Sequence, residues 1–91
     1  MTLQDALFNW LQIKLVADGR PDDQAAKETC DFFEQILKED HLLESFGVVL
    51  ADETMYHVEY KKEGKSKKQL FDRELADKLL EDILSNPKYN Q

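Results

Sequence analysis

The segment Leu3–Ala17, LQDALFNWLQIKLVA, organises the chain. At 100° per residue, Leu3, Ala6, Leu7, Phe8, Trp10, Leu11, Ile13, Leu15 and Ala17 fill one broad sector. Lys14 and Gln4 interrupt it, while Asp5, Asn9 and Gln12 share the opposite strip. An arc of about 100° suffices to cover one neighbour. This one is wider, so a helix over 3–18 is expected to pack on a sheet and on a second helix. Its rim residues Phe8 and Val16 carry an alternative, a self-association or partner surface, because exposed apolar patches mark interfaces. Thr2 with Asp5 three residues on is close to a capping box. Asp18-Gly19 supplies a stop, through the left-handed conformation that glycine accepts.

Pro21 suits a first helical turn, and Asp22-Asp23 suit the positive end of the helix dipole. A second helix is therefore read over about 22–40, with Ala26, Cys30, Phe33 and Leu37 as its inner stripe. The short link makes the two helices an antiparallel pair. From about Phe46 the hydrophobic period changes to two, and strands are read at 46–51, 55–61 and 66–71. In the middle strand Tyr56, Val58 and Tyr60 share one face, and Met55, His57 and Glu59 the other. Gly64 marks the hairpin turn. A three-residue loop would set Leu70 opposite Val58, and a two-residue loop Phe71 opposite Tyr56; the residues leave both registers open. Asp72 is a good N-cap for a last helix over 73–85, with Leu75, Leu79, Leu80, Ile83 and Leu84 as its buried stripe. Asn86-Pro87 ends it, and 86–91 is a tail. The order α-α-β-β-β-α makes an α+β domain, a three-stranded antiparallel meander with helices packed on the face of Tyr56, Val58 and Tyr60.

Ninety-one residues set the scale of one domain, 1–91. An apolar content of 42% with 10% aromatic residues favours a folded globule over disorder. No apolar run approaches the roughly 18 residues of a membrane span, and the acidic N-terminus lacks the basic region of a secretion signal. A cytoplasmic protein is expected, and the single Cys30 fits a reducing compartment. The net charge of −7 opposes non-specific binding to nucleic acid or anionic membrane.

One window departs from that acidity. Lys61, Lys62, Lys65, Lys67 and Lys68 stand against Glu63 alone, leaving the window at +4 and the rest of the −7 chain at −11. Lysines protect an exposed sheet edge against aggregation; the same cluster would also suit an acidic protein or a nucleic-acid backbone. No arginine, the better reader of phosphates and bases, lies among them. Two histidines and one cysteine without ligand spacing do not form a zinc site. Adjacent acid pairs such as Asp22-Asp23 do not face each other on a helix, so they do not read as acid/base dyads. Asp18, Asp22 and Asp23 lack the spacing of a calcium loop, and three scattered glycines make no phosphate-binding loop.

No catalytic set, metal or cofactor is expected. The reading is a non-enzymatic protein-interaction or regulatory module, with a homodimer as one form. Its partner surface would draw on Phe8 and Val16, on Met55 and His57 of the outer sheet face, or on Lys61, Lys62, Lys65, Lys67 and Lys68. The alternatives are nucleic-acid binding by the Lys61–Lys68 hairpin, or an acidic inhibitor or immunity-type protein that binds a basic partner.

Overall fold

The computed structural model describes residues 1–85. The element order is α1 (Leu3–Gly19), α2 (Gln24–Glu39), β1 (Leu43–Ala51), β2 (Met55–Lys62), β3 (Lys65–Asp72) and α3 (Arg73–Ser85). The strands form one antiparallel sheet in the order β1-β2-β3, so both β1 and β3 are edges. All three helices lie on one side of it. The expected α+β meander is thus the observed one. No helix among the described residues is long and apolar enough to cross a membrane. The proposed stop at Asn86-Pro87 and the tail 86–91 lie outside the described residues.

α1 is the central helix. It packs between α2 and α3, and it reaches the sheet through Trp10 and Phe8. The Trp10 ring meets Phe46 edge-on with centroids 5.2 Å apart, and Phe8 meets Phe71 at 5.7 Å. Ala6, Leu7, Trp10 and Leu11 are buried with Leu37, Leu43, Val58 and Ala76 in one core. The wide apolar arc is consumed on both sides by the chain itself. Val16 is buried too, which corrects its placement on an exposed rim.

Local chemistry explains the ends. The Thr2 hydroxyl accepts from the Asp5 amide at 3.1 Å. α2 begins at Gln24, later than Pro21 or Asp22, with Asp23 as its N-cap: the Asp23 carboxylate accepts from the Ala26 amide at 3.0 Å and pairs with Arg20 at 3.3 Å. Gly19 remains helical and has no positive φ. Its use is close approach, since a Cβ there would sit 3.1 Å from the Leu80 side chain. Asp72 caps α3 through the Leu75 amide at 3.1 Å. Within α3 the buried side is Ala76, with Leu79, Leu80 and Ile83 half-buried. Leu75 (59% exposed) and Leu84 lie off that side, contrary to the expected stripe.

The sheet register follows from the hairpin. Lys62 pairs with Lys65 across Glu63-Gly64, a two-residue loop, which sets Tyr56 opposite Phe71. Both loop residues have positive φ, 53° and 76°, as the twist of a two-residue hairpin requires. β1 starts at Leu43, three residues before the expected Phe46, because Leu43 pairs with Lys62 and is buried. Irregularities between Leu43 and Ser45 and between Val48 and Leu50 interrupt its ladder.

Candidate functional site

The uncovered face of the sheet is built from alternation. Tyr56 and Val58 point into the helices, so His57 points away. The registers set Leu50 on one side of His57 and Leu70 on the other. Leu50 is 53% exposed and Leu70 45%, while His57 between them is half-buried, as is Met55 at the end of the strand. One step along the sheet, Glu59 stands opposite Lys68. The face thus runs from an apolar end to a charged one.

A polar network anchors the apolar end. The His57 Nε2–H donates to Asp52 Oδ2 at 2.8 Å. Asp52 Oδ1 accepts from the amides of Thr54 and Met55 at 2.9 and 2.6 Å. These donors hold its carboxyl down at about 2, the His57 hydrogen bond contributing most and the two amides next. Arg73, at the start of α3, completes the link. Its Nη1 donates to the Asp52 carbonyl at 2.7 Å and its amide to the Thr54 carbonyl at 2.9 Å. Its guanidinium lies 5.1 Å from the centre of the Tyr56 ring, and Tyr56 donates its hydroxyl proton to Asp77. Burial, then that carboxylate, pushes the Tyr56 hydroxyl up.

An aspartate holding a histidine is also how a general base is oriented. Here the other nitrogen, Nδ1, is buried and has no hydrogen-bond partner among the described residues. A base must reach the proton it takes, and this nitrogen is closed off from solvent. The network's evident work is to pin the β1–β2 turn to α3. Cys30 is likewise withdrawn. Its thiol donates to Glu34 Oε2 at 3.7 Å, beside the Trp10 indole N–H at 3.2 Å. Burial, then Glu34, pushes it up to about 11, far from the thiolate that nucleophilic attack needs. Among the described residues no three His, Cys, Asp or Glu side chains gather as a ligand set.

The structure separates the residues singled out in the sequence. Met55 and His57 share the outer face. Phe8 is half-buried against the core and Phe71, and Val16 is inside. The five lysines do not form one patch. Lys61 and Lys68 take the outer face, with Lys61 3.8 Å from Glu44. Lys62, Lys65 and Lys67 have the parity of Tyr60 and lie on the helix-side face near the hairpin tip. Sequence reading missed Leu50, Leu70, Asp52 and Arg73. The dense turn signal at Asp52-Glu53-Thr54 was a clue to the first anchor; nothing local pointed to Arg73, 21 residues away. Comparison with protein-family models, with curated proteins and with solved structures finds no match for this chain.

Proposed function

We propose that the protein is a non-enzymatic protein-interaction module that binds through the uncovered face of its sheet. The observation that carries this reading is the row Leu50–His57–Leu70. It displays two half-exposed leucines across all three strands of a sheet whose other face is covered by helices. Apolar area of this kind, rimmed by charge, suits a protein partner. The anchored turn beneath it keeps the row rigid, which lowers the entropic cost of binding.

The test is capture from the source cell's lysate, with and without nuclease, by the tagged protein and by its L50D/L70D variant. A defined protein that survives nuclease and is lost with L50D/L70D supports the reading. Capture that both baits share, or material that vanishes with nuclease, counts against it. Nucleic-acid binding has less support: the lysines are divided between two faces of a chain whose net charge is −7.

A further inference from the structure

We propose that the chain also pairs with a second copy of itself, in a two-fold dimer that seats the hairpin tip of each copy (Lys62, Lys65) on the acidic end of α2 of the other (Glu39, Asp40), around Leu42 and Phe32. The inference rests on the interaction-module reading only in taking the protein to work by binding, and it uses a different surface.

Three features beside the C-terminal end of α2 and the hairpin tip are left largely in the open, Phe32 meeting the Phe33 ring edge-on at 5.5 Å. Leu42, which joins α2 to β1, is 66% exposed and holds a φ of 58°, a left-handed conformation that costs a leucine energy. Phe32 is 57% exposed at a groove it lines with Gln35, Ile36, Glu39 and Asp40. Lys62 and Lys65 stand directly opposite each other, with Lys67 next on the same face. None of the three has an ion-pair partner among the described residues. Like charges directly opposite across strands repel. Edge protection accounts for Lys65 and Lys67 on β3, but not for Lys62 on the central strand.

Their placement makes them self-complementary. α2 ends at Glu39 with Asp40 as its cap, and Leu43 opens β1 paired with Lys62. The acidic end of α2, where the helix dipole is also negative, therefore adjoins the basic tip, and Leu42 lies between them in the chain. An acidic patch beside a basic one matches itself under a two-fold axis. Each base meets the other copy's acid, and the contact closes at two. An apolar centre with a charged rim is the ordinary anatomy of an interface. The like net charges of the two copies repel at a distance, but beyond about 8 Å physiological salt screens them. A nucleic acid approaching the same lysines would meet the acidic helix end beside them.

Sedimentation velocity of the full chain over a concentration series tests this. The expected result is a dimer of 10.7 kDa chains. Leu42→Gly relieves the backbone while removing the apolar centre, and should raise the dissociation constant by about tenfold or more. K62E/K65E and E39K/D40K should each be monomeric, and their equimolar mixture should regain the dimer. That rescue cannot come from misfolded variants. A wild-type chain that stays monomeric throughout overturns the proposal. So does a dimer that survives both charge reversals, or one that only L50D/L70D removes. That last result would place the interface on the outer sheet face instead. Salt-sensitive binding of a short single-stranded oligonucleotide by a monomeric wild type, lost in K62E/K65E, would assign the lysines to nucleic acid instead.

Discussion

The helix-side face of the sheet buries Tyr56, Val58 and Phe71 beneath α1, whereas the opposite face holds Leu50 and Leu70 half in water on either side of His57. The same strands make both faces, and the residue types overlap. What differs is whether a helix lies above them. Burial against α1 turns an apolar side chain into folding energy; on the open face the same area stays half in water, where the proposed partner would bind. Substitutions on the two faces should therefore report different quantities, stability on one and binding on the other.

The strongest way to break that contrast is Trp10→Ala. Trp10 is fully buried and joins α1 to Phe46 and Glu34. Its truncation should cost about 3–5 kcal/mol out of a total of about 5–10 kcal/mol, read from the urea midpoint. A midpoint that hardly moved would mean that the helix-side face is not the stabilising one. Gly64→Ala comes next. At φ 76° the added Cβ is strained although space is open, so about 1–2 kcal/mol should be lost. Glu63 shares the left-handed region, so Glu63→Asn should recover some tenths of a kcal/mol, because asparagine tolerates that conformation better.

A smaller effect belongs to the anchor of the open face. The Asp52 carboxyl is held at about 2 in the folded chain against an ordinary 3.8. A depressed carboxyl contributes stability that is complete above its unfolded value and is lost as pH falls through the folded one. The Asp52 contribution should therefore decay between about pH 4 and pH 2, and this part of the acid limb should be missing in D52N when the two are compared by thermal melts against pH. The smallest expected change sharpens the contrast. Leu70→Ser should shift stability by no more than about 0.5 kcal/mol, yet weaken partner capture. A loss comparable to that of Trp10→Ala would make Leu70 a core residue and remove the open face as a site.

Much of this architecture was legible because it depends on local pattern. The period of 3.6 in Leu3–Ala17, the alternation of Met55–Lys61 and the caps at Thr2 and Asp72 each state their structure within a few residues, and the chain obeys them. Where local signals tied, the reading stalled or slipped. Glu63 is a poor candidate for positive φ, so the loop length and with it the register stayed open. Pro21 and Asp22 both suited the start of α2, yet the fold caps the helix at Asp23, whose carboxylate accepts from the Ala26 amide and pairs with Arg20. Leu75 and Leu84 look like core from their residue type, but α1 packs against the side of α3 that carries Ala76.

By itself the sequence determined the elements, their order, the face of β2 that turns inward and the acidity of everything outside one lysine window. These follow from periodicity, capping chemistry and charge, which act over a few residues. Only the tertiary structure decided that α1 buries Ala6, Leu7, Trp10, Leu11 and Val16 and leaves the rest of its arc half-buried against the core, and that five lysines in eight residues fall on two faces. It also decided that Asp52, His57 and Arg73 meet, and that Leu50 and Leu70 remain in the open. Those outcomes depend on distances between residues far apart in the chain, set by the hairpin register and by which side of the sheet the helices cover.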